Sequence, residues 1–144
     1  MDVLRVENTT MNDLEEVYRL FDHSIAYQEK HGYPSWRNYD RNAVIKDIGK
    51  GDQYKVTIEG KTGIVFSVCY NDRIIWRHYD NDDAIYLHRI VVNPDFKGQK
   101  LFGAILDWAV GHCRQRKLRF IRMDTWAANP KIVEYYRGFG FRPV

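Results

Sequence analysis

The sequence predicts an α/β fold in which helices flank a central mixed, largely antiparallel sheet. Two observations lead to this prediction. Strand-like apolar segments joined by short turns follow one another in the middle of the chain, and strand-like and helix-like segments alternate in its last third. The chain has 144 residues, of which 44% are apolar, and this is enough to bury one core. We therefore expect a single domain spanning residues 1–144.

The first 50 residues predict one strand and two helices. Residues 3–6 alternate as a strand does, and Thr10 with Asp13 three positions later resembles a helix-capping pair. Apolar residues then recur at helical spacing to about Glu29. The following HGYPSW segment ends this helix, because glycine favours a helix end and proline prevents its continuation. A shorter helix is predicted over 41–48.

The remainder predicts a hairpin followed by alternating strands and helices. Alternation over residues 54–58, the turn EGKT and a returning apolar segment predict an antiparallel hairpin, and the triplet IIW is interpreted as a further strand end. A long amphipathic helix separates the last two strands, and a final helix follows the last strand. The predicted strands are 54–58, 63–70, 74–76, 85–92 and 119–125, and the predicted helices are 98–116 and 129–138.

Composition excludes several classes of protein. The two cysteines form no CxxC pair, and the five histidines show no metal-ligand spacing, so we expect reduced thiols and no metal. The N-terminus lacks a basic-then-apolar signal, and apolar runs stay well short of the ~18 residues of a membrane span. The sequence thus predicts a soluble, cytoplasmic protein that does not bind membranes.

Charge is unevenly distributed along the chain. Residues 88–144 carry 11 Lys and Arg against 4 Asp and Glu, whereas residues 1–87 carry 11 against 15. The basic part contains a strand that leads through N93-P94 and a K97-G98-Q99 loop onto a helix. The first backbone N–H groups of a helix lack intrahelical partners, so such a junction binds anions. A compact polyanion such as a nucleotide cofactor is favoured over nucleic acid, because no clustered basic run or basic helix is present.

Beyond the basic loop, the second strand contains D124-T125, and the pattern N129-x6-Y136-x3-G140-F141 follows it. This succession resembles the acyl-CoA-binding core of the GNAT superfamily of N-acetyltransferases, and the order of elements agrees over nearly the whole chain. Lys100 and Phe102 stand where the family has two small residues. Phe102 therefore either points into the core or narrows the cofactor groove. A further strand is expected after the last helix, and the sequence stops three residues after Phe141.

The resemblance implies an N-acetyltransferase that uses acetyl-CoA. Tyr136 would be the general acid that protonates the leaving thiolate, and Asn129 would contact the pantetheine arm. The backbone of Ile90, Val91 and Val92 would hydrogen-bond the same arm from the other side. Backbone amides of one loop would hold the pyrophosphate, and these belong to Lys97, Gly98, Gln99, Lys100, Leu101, Phe102 and Gly103.

The acceptor is expected to be a primary amine on a small molecule or peptide. A protonated amine must lose a proton before attack, and His88 or Asp124 could take it directly or through water. His88 and Arg89 are expected on opposite faces of their strand, so that at most one faces the cleft. In this family the segment between the first two helices walls the acceptor site. Tyr33 and Trp36 would therefore enclose the amine or simply anchor the loop.

Two other functions remain open at this point. The unusual Lys100 and Phe102 would suit a catalytically degenerate module that binds acyl-CoA or acts as an interaction partner. The basic half of the chain would suit a nucleic-acid-binding domain, whose affinity would depend steeply on salt. The sequence also leaves the oligomeric state open, a homodimer included.

Overall fold

One five-stranded sheet organises the part of the chain that the computed structural model describes, which comprises residues 4–32, 39–124 and 130–142. The strands stand in chain order in the sheet. The first four pair antiparallel, and the fifth pairs parallel with the fourth. This confirms the predicted mixed, largely antiparallel sheet. The strands are β1 (Leu4–Asn8), β2 (Gln53–Ile58), β3 (Lys61–Cys69), β4 (Ala84–Val92) and β5 (Phe120–Met123).

Helices cover both faces of the sheet. The backbone N–H of Thr10 donates to Asp13 Oδ2 at 2.8 Å just before the first helix, so the predicted capping pair is present. The Asp40 carboxylate accepts from the backbone of Asn42 at 2.9 Å and begins the second helix. The helices are α1 (Leu14–Lys30), α2 (Arg41–Gly49), α3 (Arg73–Trp76), α4 (Phe102–Arg116) and α5 (Pro130–Arg137). No helix in the described ranges has both the length and the apolar character that crossing a bilayer requires.

Alternation along the strands divides the buried residues into two clusters. One cluster joins the face of the sheet that carries Phe66 and Leu87 to α4 through Ile105. The other joins Val65 and Val91 to α1 and α2. Neighbours Val65 and Phe66 therefore serve opposite faces, as the two-residue period of a strand requires.

Three predicted elements differ from the structure. The triplet IIW is part of the short helix α3 and not a strand end, because the Asp72 carboxylate caps it by accepting from Ile75 N at 3.3 Å. α4 begins at Phe102 and not at residue 98. The preceding Gly98 and Lys100 have φ of 88° and 55°, which an α-helix cannot accommodate. The last strand is shorter than predicted and spans Phe120–Met123.

A bulge interrupts β4 next to its end. The register of β3 and β4 shifts between the pairs Ser67↔His88 and Val65↔Val91, so two residues of β4 oppose Phe66. Arg89 sits at this bulge with a φ of 49°, and its guanidinium binds the Asp47 carboxylate of α2 at 2.8 Å. Such backbone strain persists only where surrounding contacts enforce it, and it is concentrated at functional sites.

Candidate active site

Two neighbouring clefts form the candidate site. The one called the first cleft lies at the end of β4, between α1 and α5, and has a volume of about 380 Å³. β4 contributes Ile90, Val91 and Val92, the three residues predicted to hold the arm of a cofactor. Most of the remaining wall comes from the two helices. These residues are His23, Ser24, Tyr27 and Gln28 of α1 and Ile132, Tyr135 and Tyr136 of α5.

The outer edge of β4 is open along this cleft. β5 pairs with β4 only as far as Leu87↔Met123, whereas β4 continues to Val92. Residues 88–92 therefore have no strand partner on that side among the residues that the structure describes. Backbone N–H and C=O groups on an unpaired edge can hydrogen-bond an extended ligand that carries amides of its own.

Unpaired backbone amides gather in the loop before α4. Within the described part of the chain, the N–H groups of Gly98, Lys100, Leu101 and Phe102 donate to no acceptor. The other three amides predicted to act here are already engaged. Lys97 donates to Pro94 O, Gln99 to Phe96 O and Gly103 to Lys100 O, each at 3.2 Å. Four amides close together at a helix N-terminus form an environment suited to an anion.

Contacts with β3 hold this loop in place. The side chain of Asn93 donates to Thr62 O at 2.9 Å, and its backbone N–H donates to Gly63 O at 2.8 Å. A Cβ on Gly63 would lie 2.5 Å from Leu101 Cδ1, so glycine at this position lets the loop pack closely on β3.

The two lysines of the loop differ in their surroundings, although both are exposed. Lys97 Nζ lies 4.5 Å above the ring of Tyr27 and 3.3 Å from its hydroxyl, across the first cleft. Lys100 adopts a left-handed φ, which a glycine would adopt without strain. Gln99, also exposed, completes the loop surface.

Phe102 lies in the core, as one of the two predictions for it stated. Its side chain is 2% exposed, and its ring centroid lies 5.1 Å from those of both Tyr136 and Phe139. The ring thus packs α4 against α5, although one edge also reaches the wall of the first cleft. Leu101 is likewise buried.

The second cleft, of about 720 Å³, adjoins the first cleft. Four residues line both clefts, namely Gln28, Ile90, Ile132 and Tyr136. The predicted acid Tyr136 therefore stands where the two clefts meet. Burial, and to a smaller extent the neighbouring Tyr135, raises the pKa of Tyr136 to about 12, so its hydroxyl is protonated at neutral pH.

The predicted bases His88 and Asp124 come together in the second cleft. His88 Nδ1 lies 3.8 Å from Asp124 Oδ1, and His88 Nε2 lies 4.0 Å from Asp72 Oδ2. Arg89 also lines this cleft, so the prediction that His88 and Arg89 face opposite ways is wrong. The bulge at Arg89 breaks the two-residue alternation on which that prediction depended.

Cys69 Sγ lies 2.9 Å from His88 Nε2. With Asp124 on the other side of the ring, the arrangement resembles a Cys-His-Asp nucleophile. However, burial, assisted by the negative charge of Asp72, raises the pKa of the Cys69 thiol to about 11. The thiolate that nucleophilic attack requires is therefore disfavoured.

Asp72, His88 and Asp124 each offer a donor atom, and these atoms lie within 4.8 Å of one another. A metal ion could be held by such a set. The prediction that the protein binds no metal was based on histidine spacing along the sequence. Such spacing does not detect three donors that come from separate segments, so the prediction stays a prediction. The predicted residues Tyr33, Trp36 and Asn129 lie outside the described residues.

Sequence reasoning missed several polar residues that line the two clefts, among them Gln28, Ser67 and Cys69. Gln28 stands seven residues after the buried Phe21 and therefore lies on the same face of α1, where a polar residue at an apolar position was the available signal. Ser67 and Cys69 had one available signal, because they alternate on the strand that pairs with His88.

Comparisons with known proteins identify relatives over nearly the whole length. The model of the Acetyltransferase (GNAT) family matches residues 14–141. The uncharacterized N-acetyltransferase YesJ of Bacillus subtilis is 33% identical over 160 aligned positions, which cover 98% of this chain and 89% of YesJ.

Two solved structures share the fold. A GNAT-family acetyltransferase from Listeria monocytogenes superposes with a TM-score of 0.82 at 22% identity, covering 96% of this chain and 86% of the other. The aminoglycoside N-acetyltransferase AAC(6')-Iy, solved in complex with CoA, superposes with a TM-score of 0.71 at 13% identity. That match covers 99% of this chain and 90% of the other.

Proposed function

Because the chain belongs to the GNAT family of acetyltransferases, we propose that it moves an acetyl group from acetyl-CoA to a primary amine by direct attack. Acetyl-CoA supplies an activated acyl group whose thiolate leaves readily. In this proposal the first cleft holds that donor and the second cleft holds the amine. The location predicted for this activity is the cytoplasm.

The donor side is proposed to be held mainly by backbone groups. The free amides of Gly98, Lys100, Leu101 and Phe102 face a diphosphate, with the charges of Lys97 and Lys100 beside them. The open edge of β4 binds the amide-bearing arm, and the apolar wall of the first cleft covers its methylene groups.

The reaction needs a general acid that protonates the leaving sulfur and a general base that accepts a proton from the attacking nitrogen. The amine nitrogen attacks the thioester carbon, an N–C bond forms, and the C–S bond breaks with its electron pair on sulfur. The Tyr136 hydroxyl gives its proton to that sulfur, and His88 takes the proton that the nitrogen loses. Both groups then exchange protons with water and return to their initial states.

One observation carries this proposal: Tyr136 and Ile90 line both clefts, so ligands in the two clefts would meet there. When two reactants are held together at such a junction, a bimolecular reaction becomes effectively unimolecular. A covalent route through Cys69 is disfavoured by the raised pKa of its thiol. Direct transfer is therefore the mechanism that the site supports best.

Calorimetry at low ionic strength with acetyl-CoA and with CoA tests the donor side. Release of free thiol in the presence of primary amines then tests transfer. Absence of heat with both ligands would contradict the whole proposal. Binding without thiol release for any amine would favour the catalytically degenerate module, for which the bulky Phe102 and the strained Lys100 are the supporting features.

A further inference from the structure

We infer that the second cleft selects acceptor amines that carry a second positive charge, and that Asp124 receives this charge. The inference rests on the proposed function and names the class of its acceptor: short aliphatic diamines and longer polyamines. It follows from the charge balance of the cleft and from polar atoms in its wall that lack partners among the described residues.

The cleft carries more negative than positive charge. Asp47 is neutralised by Arg89 at 2.8 Å. Asp72 and Asp124 pair only with His88, at 4.0 and 3.8 Å, and neither has a Lys or Arg partner in the described ranges. When His88 is neutral, as a base must be, Asp124 in the cleft wall and Asp72 beside His88 have no counter-charge from any described residue. This local excess stands against the net charge of +3 of the chain.

Ser67 adds an independent observation. It lies opposite His88 in the register of β3 and β4, so its side chain is on the same face, and it lines the second cleft. The residue is 3% exposed, and its hydroxyl makes no hydrogen bond to any residue that the structure describes. Burial raises the pKa of the nearby Asp47 carboxyl, and the Ser67 hydroxyl opposes that rise only weakly.

Gln28 Oε1 is a second buried oxygen without a partner among the described residues, and Gln28 lines the same cleft. Buried polar atoms in native proteins are nearly always hydrogen-bonded. Two such atoms in the wall of one cleft indicate a ligand that supplies several N–H donors.

An alkylammonium group satisfies these requirements together. It brings a positive charge for Asp124 and three N–H donors for neighbouring oxygens. One amino group of a diamine can then lie at Tyr136, where transfer is proposed, while the other remains protonated beside Asp124. A monoamine leaves Asp124 without a partner, and a second negative charge on the acceptor is repelled.

Three acceptors of equal chain length test the inference: 1,4-diaminobutane, n-butylamine and 4-aminobutanoate. They differ only in their second end group, which is positive, apolar or negative. We expect kcat/KM for the diamine to exceed that for butylamine by about tenfold, a factor typical of one partly exposed charge pair. The value for 4-aminobutanoate should be at least a further tenfold lower. Equal or reversed values, with thiol release intact, would overturn the inference and leave the proposed function standing.

Asp124→Asn should reduce the preference for the diamine to about twofold while leaving acetyl-CoA affinity unchanged. Asp72→Asn should reduce the preference less, because His88 lies between the Asp72 carboxylate and the cleft, so this charge acts on the ligand only at longer range. Asparagine at position 72 retains the cap of α3. Asp82→Asn is the matched control, because Asp82 pairs with Arg73 on the surface outside both clefts. Retention of the full preference in Asp124→Asn would show that another group receives the charge.

Equilibrium dialysis of the three compounds against the protein with CoA gives a readout that does not need turnover. The diamine should bind at least tenfold more tightly than 4-aminobutanoate, and failure to do so overturns the inference whatever the activity. A metal ion is the other possible occupant. If treatment with EDTA abolishes the preference and Zn²⁺ restores it, the carboxylates hold a metal ion and the inference is wrong.

Discussion

Replacing Tyr136 by phenylalanine removes one hydroxyl from the point where the two clefts meet. The ring of Tyr136 packs on Phe102 at 5.1 Å between centroids, and phenylalanine keeps this contact. The hydroxyl makes no hydrogen bond within the described residues, so its loss should change the free energy of unfolding at pH 7 by less than about 0.5 kcal/mol. Loss of a general acid should lower kcat by about 10²- to 10⁴-fold, with acetyl-CoA affinity unchanged.

The same substitution predicts a change in stability at high pH. The pKa of Tyr136 is raised from 10.0 to about 12 in the folded protein. Above pH 10 the unfolded chain therefore loses a proton that the folded protein retains. This contribution to stability is complete below pH 10 and is lost as the pH rises towards 12. At pH 11 the wild type should have lost about 1.4 kcal/mol more than Tyr136→Phe, because each pKa unit corresponds to that amount.

Urea unfolding at pH 7, 9 and 11 measures the stability difference, and thiol release measures kcat. Tyr79→Phe serves as the control, since Tyr79 is exposed and lines neither cleft. Wild-type turnover in Tyr136→Phe would remove the acid role from this residue. An unchanged stability difference between pH 7 and pH 11 would show that the hydroxyl is solvated and its pKa ordinary.

Three further predictions concern the loop, the thiol and the core. At the left-handed position 100, Lys100→Gly should be about 1 kcal/mol more stable than Lys100→Ala in urea unfolding, and the reverse order would contradict the conformation described. In a Cys113→Ser background, iodoacetamide should alkylate Cys69 at pH 8 about 100-fold more slowly than it alkylates the unfolded chain, because its thiol pKa is about 11. A rate within threefold would refute that pKa. Phe102→Ala should lose about 3–5 kcal/mol of unfolding free energy. Tighter acetyl-CoA binding with little loss of stability would instead mean that the ring obstructs the first cleft.

Much of the fold could be predicted because its signals are local. The alternation of Tyr54, Val56 and Ile58 along β2 and the capping pair of Thr10 and Asp13 are properties of neighbouring residues, and both are present in the structure. The prediction for 74–76 failed for a local reason as well. A triplet is too short for periodicity to decide, and the capping carboxylate of Asp72 favours a helical turn.

The candidate active site was most predictable where it lies on a contiguous motif. The loop from Lys97 to Phe102 and the strand before it could be singled out as a candidate anion site because these residues are continuous in sequence. The second cleft could not be derived in the same way, because its walls come from seven elements, namely α1, α2, β3, α3, β4, β5 and α5. Nothing in the sequence relates Ser67 to Gln28, and the two residues come to line the same cleft only after folding.

The sequence by itself determined the order of strands and helices apart from α3, the family resemblance and the basic loop before α4, since each depends on residues close together in the chain. The tertiary structure decided which of the loop amides remain unpaired and which side chains surround His88. It also decided that Arg89 lies on the same side of β4 as His88. The physical reason is that a bulge, an open strand edge and an unbalanced charge arise from the pairing of distant segments, and local periodicity carries no information about that pairing.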